Sequence, residues 1–262
     1  MTSTAKTLDL TPAPGAAPFP RMVLAQTGAE VRAMLRNGEQ LLLTMIIPVL
    51  LLVGFSLAPL IDVGGGRRVD FLAPGVLALA VMSTAFTGQA IATGFERRYG
   101  VLKRLGATPL SRGGLMLAKT AAVLVVEAVQ VAVLVAVAVA LGWSPQGSPV
   151  AAVLAGGVLV LLGTAAFSGL GLLMAGLLRA EATLAAANLV YLLLLAAGGV
   201  VFPLDKFPAS VQPVLELLPL SALTGGLRTV LSGGALPLGT VAVLAVWAAV
   251  SLGLAARTFR WE

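Results

Sequence analysis

Few side chains in this sequence can do chemistry. The chain has no cysteine and no histidine, which removes disulfides, thiol nucleophiles, zinc sites with His or Cys ligands, and imidazole acid–base catalysis. An intramembrane enzyme would then need a Ser–Lys or paired-carboxylate arrangement, and no apolar run offers one. None of the four lysines (Lys6, Lys103, Lys119, Lys206) follows a glycine, so the G-x-x-x-x-G-K-[ST] phosphate loop is missing. ATP chemistry by that route requires another polypeptide, and no cofactor or metal site is expected in the chain itself. Two places stand out: Glu127, alone in an apolar run, and the charged stretch FERRYGVLKRLGATPLSR from Phe95 to Arg112.

A carboxylate near the middle of a membrane span costs about 2.5–3.5 kcal/mol on insertion scales, so Glu127 needs a reason to be there. Gln130, three residues on and on the same side of a helix, is a candidate hydrogen-bond partner. Glu127 reads as a proton relay for a secondary transporter, as a contact for a cationic substrate, or as one half of an interhelical polar pair. Thr84, Thr87, Gln89 and Asn188 carry the same choice between lining a pathway and satisfying one another between helices.

The Phe95–Arg112 stretch holds Glu96, Arg97, Arg98, Lys103, Arg104 and Arg112, with Gly100 and Gly106 as breaks and Pro109 as a stop. Charge of this density belongs in water between two spans. Val101, Leu102 and Leu105 fall at helical spacing among the basic residues, which predicts a short amphipathic helix suited to docking on a soluble partner.

The elements that position these residues follow from composition. Hydrophobic residues make up 58% of the 262, charged residues 11%, and the mean hydropathy is +1.00. The bilayer is therefore the solvent, and the net charge of +6 is explained by loop charges rather than by nucleic acid. Residues 1–20, with five prolines or glycines, predict a disordered cytoplasmic tail. Residues 21–40 predict a helix with Leu24, Val31, Met34 and Leu35 on one side, either lying along the membrane surface or leading into the first span. Six spans follow, each near the ~20 residues that cross hydrocarbon: about 41–61 with bends at Pro48 and Pro59, 71–94, 115–141, 150–178, 182–202 and 237–256. Gly163, Gly169, Gly171 and Gly176 give the fourth a close-packing face. In the turn after the third, Trp143 is placed to anchor at the interface.

In this layout only Arg67, Arg68, Lys206 and Arg228 lie outside, and the other thirteen of the seventeen Lys and Arg lie toward the cytoplasm. Both termini and the charged stretch are therefore expected inside. Ahead of the last span, Pro203, Pro208, Pro213 and Pro219 forbid one continuous helix, while Val211, Val214, Leu215, Leu217 and Leu218 are too apolar for a free loop. Short helices resting in the outer leaflet, or dipping in and returning, satisfy both facts.

Glu96–Arg97 … Gly100 … Leu102 … Leu105 … Thr108–Pro109 resembles the E-R-E-x-G-T-L-E-x-L-x-x-T-P signature that follows span two in ABC-2 type permeases, the membrane subunits of ATP-binding-cassette exporters. PLDKFPASVQPVLELLPLSALTGGLR resembles the segment ahead of their last span. Arg98, Val101 and Lys103 depart from the pattern and make the helix more basic. The resemblance implies an all-α, six-span, type V exporter-like fold with a re-entrant outer segment, in a bacterial inner membrane. It also implies a coupling helix (Glu96, Arg97, Gly100, Leu102, Leu105, Pro109) seated in a separate ATPase subunit that binds ATP and Mg. A second permease chain, identical or similar, and membrane lipids complete the expected partners. The cargo implied is a drug-like compound, lipid or glycolipid moved out of the cytoplasm.

Overall fold

The computed structural model describes residues 15–58 and 67–258 of the chain. The bend expected at Pro59 and most of the expected N-terminal tail lie outside the described residues. The protein is helical, in chain order α1 (Phe19–Arg36), α2 (Gly38–Leu57), α3 (Arg68–Met82), a π-helical segment π1 (Ser83–Gly88), α4 (Gln89–Arg98), α5 (Val101–Gly106), α6 (Arg112–Ala140), α7 (Pro149–Leu177), α8 (Ala180–Ala197), α9 (Gln212–Glu216), α10 (Pro219–Leu231) and α11 (Leu238–Thr258). Among the described residues, five runs are long and apolar enough to cross a membrane: the continuous α3–π1–α4 rod (Arg68–Arg98), α6, α7, α8 and α11. The apolar part of α2, Thr44–Leu57, is shorter.

The local chemistry explains the boundaries. Pro20 lies in the first turn of α1 and Pro149 in that of α7, where a missing N–H costs nothing. The Ser111 hydroxyl accepts the Gly114 N–H at 3.1 Å and caps α6. Gly100, at φ 70°, takes the left-handed conformation that ends α4 and redirects the chain into α5. The charged stretch therefore divides differently from the sequence expectation. Glu96, Arg97 and Arg98 are the last turn of α4, and the short amphipathic helix is only Val101–Gly106.

The α3 segment is the axis of the bundle. Residues 72–82 are buried without interruption, enclosed by α2, α6, α7 and α10. Against α7 the packing is at glycine distance. A Cβ on Gly169 would run into Ser251 Oγ of α11, and one on Gly163 would meet Leu223 of α10 at 2.8 Å. On Gly171 it would meet the Phe86 carbonyl of π1 at 2.9 Å, where the wider turn pushes its oxygens toward α7. Helices without a hydrophobic force between them gain most from this sort of backbone approach.

The proline-rich segment resolves into α9 and α10, and α10 is buried along most of its length. Arg228 fastens it: the guanidinium lies 3.6 Å over the Phe71 ring, and donates to the carbonyls of Phe71 (3.2 Å), Gly199 (2.6 Å) and Val200 (3.3 Å). Trp143 differs from expectation. It is buried in the core rather than set at a lipid interface, because the α6–α7 turn folds back onto the α10–α11 turn, with Gln146 N–H donating to Leu231 O at 3.0 Å. That contact hides the ring from any bilayer.

Candidate functional site at the α1–α4–α6 junction

The residues that sequence reasoning singled out fall into two places. The first is where α4 ends. Lys119, about two turns into the apolar helix α6, is 4% exposed, and such a cation demands partners. Its Nζ donates to Glu96 Oε2 at 2.6 Å and to Glu30 Oε2 at 2.9 Å. Gln26 Nε2 donates to the other Glu30 oxygen at 2.8 Å. One ammonium thus ties α1, α4 and α6 together, and the cluster keeps a formal charge of one negative. The outward face of α1 carries Leu24 and Leu35, both exposed, while Val23 and Glu30 turn inward.

Arg97 is also committed inside the chain. Its guanidinium donates to Gly176 O at 2.7 Å and to Leu178 O, supplying donors for carbonyls that α7 leaves unpaired at its C-terminus. Arg98 pairs with Glu181 at the surface. The α5 helix is seated through Leu102, fully buried against Val23, Leu110, Leu115 and Leu172. Glu96, Arg97 and Leu102 anchor the junction from within, because buried charge and a buried leucine are satisfied by the chain itself. Leu105 is half-buried, and Val101, Lys103, Arg104 and Pro109 are exposed, so the exposed charges of the stretch are all basic.

The second place is a polar layer higher in the bundle. Thr84 Oγ1 donates to Gln130 Oε1 at 2.9 Å, and Gln130 Nε2 donates to the Thr44 carbonyl of α2 at 2.6 Å. Thr164 of α7 donates to Glu127 Oε2 at 2.5 Å, and Ser168 donates to Gln89 Oε1 at 2.8 Å. The expected Glu127–Gln130 pair does not form. Three residues leave two side chains about 60° apart around a helix, and here Glu127 is taken by Thr164 of α7 while Gln130 bonds to π1 and α2. Glu127 Oε1, Gln89 Nε2, Thr87 Oγ1 and Thr93 Oγ1 have no hydrogen-bond partner among the described residues. Asn188 is apart from this layer, exposed on α8 and bonded to its own helix at Leu184 O, 3.0 Å.

Sequence reasoning missed Glu30, Lys119, Thr164, Ser168 and the anchoring role of Arg228. Lys119 carried a usable signal: a lone cation inside an apolar helix nearly always has a buried partner.

Several apolar helices around a buried polar layer, with a charged junction at one end, are the build of a multi-pass membrane protein. The model of the ABC-2 type transporter family matches residues 23–232, and the chain belongs to that family. It is thus a permease component of an ABC transporter, a class that works with ABC ATPase subunits and is not itself catalytic. The match includes α1 from Val23 onward, the junction and the proline-rich segment. No curated protein matches the chain.

Proposed function

We propose that this chain is the membrane subunit of an exporter that moves a hydrophobic or amphipathic compound out of the cytoplasm, driven by ATP hydrolysis in separate subunits. The observation that carries the reading is the α4–α5 corner. A short helix with an outward basic face joins at Gly100 the end of a rod whose root is bonded to α6 and the α7–α8 turn and, through Lys119, to α1. Force applied to α5 by a soluble motor is delivered to four helices at once. In this reading α2 is the first of six spans, both termini and α5 face the cytoplasm, and α10 is the re-entrant outer element. A pair of permease chains forms the pathway in a bacterial inner membrane, and the partner ATPases hold the ATP and Mg. Absence of an acidic docking groove in the partner would contradict the basic surface of α5.

Co-purification of the tagged chain with an ATP-binding subunit tests the proposal. Lys103→Glu with Arg104→Glu is expected to abolish that association while the permease keeps its elution volume and melting temperature. The reading fails if transport persists in vesicles without any ATPase. A proton-coupled carrier through Glu127 predicts that persistence, together with its loss in Glu127→Gln.

A further inference from the structure

A cavity of about 250 Å³ opens beside the buried ion cluster, between α1, the π1–α4 rod and α6. Its polar wall is Glu30, Glu96 and Lys119, and its apolar wall is built from Met34, Ala92, Phe95 and Val123. Gln89 and Thr93 also line it, at 5% and 1% exposure, and Gln89 Nε2 and Thr93 Oγ1 have no partner among the described residues. Two carboxylates against one ammonium leave the cluster negative, and the carboxylates draw an additional cation while repelling an anion. Phe95, stacked on Tyr99 with ring centroids 6.1 Å apart, adds an aromatic surface of the kind that favours ammonium groups. The Arg98 guanidinium lies 5.9 Å from the outer Tyr99 ring, so Phe95 is the ring left for a ligand. At the far end the amide of Gln89 supplies an unused donor, suited to a carbonyl or ether oxygen.

We propose that this cavity is a binding site for a small amphipathic organic cation, an ammonium with an aromatic or aliphatic body and a hydrogen-bond acceptor at its other end. The cation sits by Glu96 and Glu30, the body lies along Phe95, Met34 and Val123, and the acceptor meets Gln89. The site goes beyond the export reading and stands whether or not the bound cation is cargo.

The purified full-length permease in nanodiscs, without any ATPase, is irradiated with (4-benzoylbenzyl)trimethylammonium, which carries a cation, two rings and a photoreactive ketone. Labelled peptides are mapped by mass spectrometry, with 4-benzoylbenzoate as the anionic control. Saturable labelling within residues 30–37 and 88–101, at least tenfold above the anion, is the expected result. Glu96→Gln, which neutralises the cluster, is expected to lower it at least tenfold. Ala92→Phe leaves the ion cluster intact and fills the cavity, and is expected to abolish labelling even if Glu96→Gln folds poorly. Equal labelling by cation and anion, labelling spread over lipid-facing helices, or full labelling in a natively eluting Ala92→Phe protein would each overturn the site. Because no ATPase is present, failure here leaves the export reading untouched, and failure to find a motor subunit leaves the labelling result untouched.

Discussion

Lys119 shows how much one side chain holds at the junction. Removing a buried ammonium strands two carboxylates, and breaking such a pair from one side costs about 3–5 kcal/mol. Lys119→Met is therefore expected to lower the melting temperature in detergent sharply. Combining it with Glu30→Gln and Glu96→Gln is expected to recover much of the loss, because no uncompensated charge then remains. Glu181→Gln, which removes only the exposed partner of Arg98, is expected to change stability by less than about 1 kcal/mol. A drop in the Glu181 variant as large as that of Lys119→Met would refute the assignment of burial as the deciding factor. Leu102→Ala is expected to cost about 2–5 kcal/mol as a core truncation, so it is a poor probe of partner docking.

Among the elements, the contrast between glycines of α7 is the sharpest. Gly169 has no room for a Cβ, whereas Gly157 on the same helix has nothing within 4 Å. Gly169→Ala is expected to destabilise by about 1–3 kcal/mol through overpacking, and Gly157→Ala to be neutral or mildly stabilising. Equal melting temperatures for the two would refute the close-packed α7–α11 seam. The sequence made this face legible through its spacing of small residues, and it made α6, α7 and α11 legible through unbroken apolar runs. It also marked Thr84, Gln89, Glu127 and Gln130 as polar residues that need partners. It did not reveal which partners they take. Lys119 meets a glutamate 89 residues away, and Glu127 a threonine 37 away. Such pairings depend on how helices rotate against one another, which no local period encodes. The same reason hid the burial of Trp143, since nothing within its own turn says that another turn will cover it.

For the whole molecule, the polar layer and the ion cluster divide the labour. The layer of Thr84, Gln130, Glu127 and Thr164 joins α2, π1, α6 and α7 inside the bundle, while the cluster joins α1, α4 and α6 at its end. Glu127→Gln keeps an acceptor for Thr164 and is expected to leave folding and transport within about twofold of wild type, measured in vesicles containing the complete transporter. A complete loss of transport with an intact fold would move Glu127 from scaffold to mechanism.

The π1 segment has one more consequence. A wide turn of this kind accommodates a surplus residue while its flanks stay in phase. Shortening the chain by one position inside Ser83–Gly88 is therefore tolerated, because the rod reverts to ordinary winding without changing the heading of Glu96. The same deletion placed in α3 or α4 turns everything beyond it by about 100°, and Glu96 swings out of reach of its ammonium. Single-codon deletions walked along this rod are expected to show one island of survival at residues 83–88, bordered on both sides by chains that fail to assemble.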